Sequence, residues 1–217
     1  MAPTLLIGNK NYSSWSLRPW IAMKVAGIDF DEQIVPLYEP GSRETVLKYS
    51  PTGKVPCLVD DDVTVWESLA ILDYLADRYP EKKLWPADLK ARALARAIAA
   101  EMHAGFAALR KHCPMNMRRD PRKIRELAPE VQADVARIDA IWTDCRGRFG
   151  QGGPFLFGAF GNADAMYAPV VSRFASYAIP VGKAARAYME AVMALPAWKD
   201  WEKDGRAERW VMPGNEV

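Results

Sequence analysis

Along the 217-residue chain the spacing of apolar positions changes near residue 80. Before it, short apolar runs alternate with helical spacing; after it, only the helical period remains. Thr4-Leu5-Leu6-Ile7-Gly8 is a continuous apolar run and predicts a buried strand. A polar loop over Asn9 to Ser14 follows, and helical spacing through Leu17, Ile21 and Val25 stops at Gly27, a good residue just past a helix end. Phe30 to Leu37 alternates and predicts a second strand, and Glu39 to Tyr49 is weakly helical. Cys57-Leu58-Val59 and Val63-Thr64-Val65 flank an acidic turn, which predicts a hairpin. Leu72, Leu75 and Tyr79 then give a helix that starts at Glu67-Ser68.

Two prolines, Pro80 and Pro86, bracket a charged stretch and mark a boundary. The expected division is an α/β domain over 1–79, a linker over 80–88 and an all-helical domain over 89–217. In the second half, Leu94, Ile98, Met102, Gly105 and Leu109 lie on one helical face, and Val131, Val135, Ile138 and Trp142 on another. A glycine-rich turn is expected over 147–153, then a helix from about Asn162 to Ala178 and two more ending near Glu208.

Half the residues are hydrophobic and 26% are charged, which suits a globular fold with a real core. A net charge of +2 gives no reason to expect nucleic acid or an anionic membrane as partner. No apolar run approaches the ~20 residues of a membrane span. Cys57, Cys113 and Cys145 are odd in number, lack a Cys-x-x-Cys spacing and read as core, so a reducing cytoplasm is the expected location. His103 and His112 have no metal-ligand spacing, so no metal is expected.

The most informative stretch runs from Gly53-Lys54-Val55-Pro56 to Trp66-Glu67-Ser68. Pro56 cannot donate to a ladder and suits the start of a strand. A cis bond before it would turn the Val55 backbone outward, free to pair with an extended peptide. The helix starting at Glu67-Ser68 has unpaired N–H groups that can hold a carboxylate. Taken singly, a trans proline and a plain helix cap are the simpler readings. Together, at this spacing, the two motifs resemble the glutathione-binding half of the glutathione transferase family. The element order resembles the thioredoxin-like fold without its Cys-x-x-Cys. In the helical half, Asp164 stands where the family has the acid of a capping box, with Gly161 at the cap position.

The resemblance implies glutathione as co-substrate, no metal, a homodimer and a small hydrophobic electrophile as second substrate. Its chemistry needs a thiolate, whereas a free thiol with pKa near ~8.5 is only a few per cent ionised at neutral pH. Lowering that pKa by two units takes about 2.7 kcal/mol. One hydrogen bond to the charged sulfur supplies ~1.5–3 kcal/mol and a helix N-terminus ~0.3–1. The loop Tyr12-Ser13-Ser14-Trp15-Ser16, followed by Arg18, looks like the zeta-class signature and offers both.

Carried over by position, Ser13 contacts sulfur, with Ser14 the second choice and Tyr12 the third hydroxyl available. Trp15 stands where the zeta pattern has cysteine. The family pattern further assigns the Val55 main chain to the cysteinyl unit, Ser68 and Glu67 to the γ-glutamyl group, and Lys54 to the glycyl carboxylate. For the second-substrate pocket the candidates are Trp15, His103, Phe106, Met115 and Asn116. His103 reads either as a general base or as a structural side chain, on a stripe with Arg96, Ala99, Phe106 and Arg110. The function expected is conjugation of glutathione to an electrophile. A glutathione-dependent isomerase or dehalogenase, and a non-catalytic binding protein, are the alternatives.

Overall fold

A computed structural model describes residues 2–121 and 126–217. The first part runs β1 (Thr4–Ile7), α1 (Ser14–Ala26), β2 (Asp31–Ile34), α2 (Ser42–Leu47), β3 (Cys57–Asp60), β4 (Val63–Trp66) and α3 (Ser68–Arg78). The strands form one sheet in the order β2-β1-β3-β4. β1 pairs parallel with β2, and antiparallel pairs join β1 to β3 and β3 to β4. Leu5, Leu6 and Ile7 are fully buried, so the run that is apolar at every position takes a central strand covered on both faces. With its helices the sheet makes the expected thioredoxin-like unit. β2 ends earlier than its alternation predicts: Val35 gives one more hydrogen bond to Ile7, and Pro36 has no N–H to continue the ladder.

Helices make up the remainder: α4 (Leu89–Ala104), α5 (Ala107–His112), α6 (Pro129–Phe149), α7 (Asn162–Ser176), α8 (Lys183–Ala194) and α9 (Pro196–Ala207). α7 is buried from Asn162 to Phe174 and packs against α1 and α4, which makes it the seam between sheet unit and helices. Trp142 of α6 anchors the helical core, its ring lying 4.9–5.8 Å from those of Tyr167, Phe174 and Tyr188.

Two helix boundaries differ from the pattern. The face from Leu94 to Leu109 belongs to two helices, because Gly105 ends α4 and Phe106 adopts φ 55°. A Cβ on Gly105 would lie 2.7 Å from the Glu101 carbonyl, so glycine marks a tight exit there rather than a packing position. α6 continues through Gly147 to Phe149, and the turn begins at Gly150. One interior glycine costs about 1 kcal/mol, which the packing of a long helix overrides.

At the start of α7 the cap is half a capping box. Gly161 has no side chain to offer, but the Asp164 carboxylate accepts from the N–H groups of Gly161 (2.9 Å) and Leu156 (3.0 Å). Burial pushes the Asp164 carboxyl up to about 6, outweighing those hydrogen bonds. An unfolded aspartate releases its proton near ~3.9. This group therefore favours the folded state fully below about pH 4, and that contribution is lost as pH rises through about 6. Asp164→Asn cannot ionise and should flatten the pH 4–6 part of the urea-midpoint curve relative to wild type. Asp164→Ala strands both N–H groups and should lower stability by about 2–4 kcal/mol in the same titration.

Candidate active site

The loop between β1 and α1 is held from three sides. Lys10, 3% exposed, sets its ammonium 2.8 Å from Glu32 on β2 and 2.7 Å from Asp204 on α9. The indoles of Trp20 and Trp201 lie 5.0 and 5.6 Å from the same ammonium. Glu208, just past α9, accepts the backbone N–H groups of Lys10 (2.6 Å) and Asn11 (3.0 Å), and burial pushes its carboxyl up. α9 comes this close because residue 205 is glycine: a Cβ there would stand 3.1 Å from Asn11 N.

This loop delivers Ser13 and Ser14 to the start of α1, each 8% exposed. Ser13 does not cap the helix; its hydroxyl donates to Ser16 Oγ (2.8 Å), which also accepts the Gly8 N–H (3.1 Å). Ser14 Oγ accepts from Arg173 Nη2 of α7 (3.3 Å). Tyr12 is engaged elsewhere. Its hydroxyl donates to Glu216 and accepts from Arg118 Nη2 (2.6 Å). Both serines line a cleft of about 810 Å³ with Trp15, Lys54 and Val55; Tyr38 and Met212 stand at its other walls.

A smaller hollow of about 210 Å³ shares Trp15, Lys54 and Val55 with that cleft and adds Glu67, Ser68 and His103. The Val55–Pro56 peptide is cis. Ser68 Oγ is buried and has no protein partner. Glu67 holds φ 66° at the start of α3, a conformation that costs a non-glycine residue of order 1–3 kcal/mol and collects at functional sites.

The second-substrate set is not brought together. Trp15 lines both hollows. His103 lies on the α3 side, its Nε2 3.8 Å from Glu67 and its ring 5.3 Å from Trp15. Phe106, Met115 and Asn116 line neither hollow. Phe106 and Met115 are core, because α4 ends before Phe106 and turns it inward. Asn116 is buried and donates to the Asn215 carbonyl. The C-terminal segment also lines the larger cleft: Arg118 holds the carbonyls of Glu208 and Trp210, and Met212 reaches the cleft. Sequence reasoning missed this segment, since it has neither period nor motif.

Models of two family domains match the chain: the glutathione S-transferase N-terminal domain over residues 12–78, and the C-terminal domain of the same enzymes over 128–204. A zeta-class glutathione S-transferase of Euphorbia esula is 30% identical over 156 residues, 69% of each chain. The chain belongs to the glutathione S-transferase family. A maleylacetoacetate isomerase of Rattus norvegicus is 32% identical over 107 residues, 48% of this chain and 49% of that one. The matched stretches thus span about two thirds and about half of these curated relatives. A glutathione transferase homologue from Burkholderia, solved with bound glutathione, superposes with a TM-score of 0.68 at 25% identity over 95% of this chain and 99% of that one. In this family member the serine loop lines one hollow and the Glu-Ser motif another, and Trp15, Lys54 and Val55 line both.

Glu208→Ala tests what holds the loop. It leaves the Lys10 and Asn11 N–H groups without an acceptor and should cost about 2–4 kcal/mol in thermal unfolding. Amide exchange should speed at residues 10 and 11 while the amides of α8 keep their protection.

Proposed function

We propose that this family member is a glutathione transferase that presents the glutathione thiolate to a small hydrophobic electrophile. The observation that carries this reading is the single cleft that has two hydroxyls at a helix start on one side and an unpaired backbone on the other. Among the described residues, the Val55 N–H and carbonyl have no hydrogen-bond partner, which suits pairing with the cysteinyl unit. Ser68 and the α3 N-terminus take the γ-glutamyl carboxylate, Glu67 its ammonium, and Lys54 the glycyl carboxylate. A serine hydroxyl and the α1 N-terminus hold the sulfur as an anion. The thiolate then bonds to the electrophilic carbon while the leaving group departs with its electron pair.

A glutathione-dependent isomerase on the same thiolate is the second reading, favoured by likeness to the rat isomerase. There glutathione adds, the adduct rotates and glutathione leaves, so no thioether accumulates. The same reading places the chain in the cytoplasm as a homodimer of two-domain subunits, 1–79 and 89–217 joined by 80–88. Exposed Trp66 on β4 and Leu89 at the start of α4, 41% and 71% accessible, suit a subunit contact.

Incubation with glutathione and an activated aryl halide should yield a thioether by mass spectrometry. Net isomerisation of a cis-enone with glutathione returned unchanged would favour the isomerase. The Ser13→Ala/Ser14→Ala double variant should lose about 100-fold in kcat, roughly the loss of one or two charge-assisted hydrogen bonds, while still binding glutathione. Ser68→Ala should weaken glutathione binding about tenfold or more. Its thermal midpoint should stay that of wild type, because no protein partner is lost.

A further inference from the structure

Three guanidinium groups converge behind the serine end of the cleft. Arg18 on α1 is fully buried: Nε donates to the Met166 carbonyl (3.0 Å), Nη1 to the Ser14 carbonyl (2.8 Å), and Nη2 has no partner. Arg173 on α7 is 4% exposed and donates to the carbonyls of Cys113 (2.9 Å) and Pro169 (3.2 Å) and to Ser14 Oγ (3.3 Å). Arg110 on α5 has a buried Nε without a partner. The Trp15 ring lies 4.1 Å from the Arg18 guanidinium carbon and 5.4 Å from that of Arg110. Among the described residues no carboxylate pairs with any of the three. Burial, and then the repulsion of its neighbours, pushes Arg18 well down and Arg173 down to about 10, which leaves Arg173 cationic at neutral pH. Buried cations normally carry counter-ions, because an uncompensated buried charge is strongly destabilising. Such a cluster is complete only when an anion occupies the cleft in front of it.

The hydrogen bonds say which serine meets that anion. A guanidinium has only donors, so Ser14 Oγ is necessarily the acceptor from Arg173. The proton of Ser14 is left free, and the open side of this residue is the cleft. Ser13 spends its proton inside the protein, on Ser16 Oγ. We propose that Ser14 is the hydroxyl that donates to the glutathione sulfur, and that Arg173 is a positioning residue which fixes it as that donor and, with Arg18 and Arg110, supplies the field that keeps the sulfur ionised. This rests on the glutathione reading above and revises its choice between the two serines. The thiol proton leaves to solvent, and no protein bond is made or broken. The other groups facing the sulfur position are Lys54, Arg43 and Glu39 across the cleft, the Tyr12–Glu216–Arg118 set, and Glu67 with His103 beyond Trp15; Tyr167, Tyr177 and Cys113 lie on the protein side. None of these puts another cation against Ser14.

The test follows the ionisation of bound glutathione by thiolate ultraviolet absorption across pH, on the full chain. Arg173→Gln should raise the bound-thiol pKa by about one unit, a tenfold loss of thiolate at fixed pH below it. Arg173→Lys should recover at least half of that shift. Ser14→Ala should shift the pKa more than Ser13→Ala, and Arg173→Gln should shift it less in the Ser14→Ala background than in wild type, because there only its field is lost. Should Arg173→Gln fail to fold, Arg110→Gln, whose Nε bonds no protein atom, should still raise the pKa. A folded arginine variant with the wild-type pKa, or a larger effect from Ser13, overturns the inference alone. If wild type forms no bound thiolate at neutral pH, the glutathione reading falls and the inference with it.

Discussion

One ammonium group decides where the reactive end of this molecule sits. Lys10 leaves water to stand between a carboxylate on β2 and another on α9, roofed by two indoles. Desolvating a cation costs several kcal/mol, and only close pairing on more than one side offsets it. The loop carrying Ser13 and Ser14 is therefore fixed by the sheet and by the last helix at once. Gly205 and Glu208 act on the same few residues, by letting α9 approach and by taking the loop N–H groups. Serine geometry is thus a property of the whole chain, though both residues lie in its first fifteen.

The two ends of the cleft are built differently. The side proposed for the tripeptide comes from the sheet unit, where the Val55 backbone and the start of α3 are joined by the side chains of Lys54, Glu67 and Ser68. The other side of the cleft, proposed for the second substrate, comes from α2, the tryptophan of α1 and the C-terminal segment, where side chains set the shape. Behind both runs the α1–α7 seam. Because α7 is buried nearly throughout, Arg173 cannot reach solvent and its charge is directed at Ser14.

The fold was legible because its strands and helices are short, local and strongly periodic. β1, the hairpin and α3 follow from apolar runs a few residues long, and α7 from the helical stretch that begins just after Gly161. Where the reading failed, an exit from a helix outweighed a good period. Phe106 continues the stripe of α4 in sequence, yet Gly105 turns the chain and sends the ring into the core. Within the site, Val55, Glu67 and Ser68 were legible because proline and a helix start are local signals. The Arg18–Arg110–Arg173 cluster was not, since its members lie on three helices far apart in sequence. Nor was the Tyr12–Arg118–Glu216 contact, which spans 204 residues between tyrosine and glutamate. Neither the positive φ of Glu67 nor the direction of the Ser13 proton is encoded in residue type alone.

Met212 reaches the cleft from a segment with no regular structure beyond a single 3₁₀ turn at Pro213–Asn215. Its anchors are mostly main-chain carbonyls gripped by Arg118 and Asn116, so its side chains can change without loosening their hold. Natural variation or laboratory recombination has here a stretch where the shape of one cleft wall can drift while Lys10, Glu208 and Arg173 go on holding the serine loop as before.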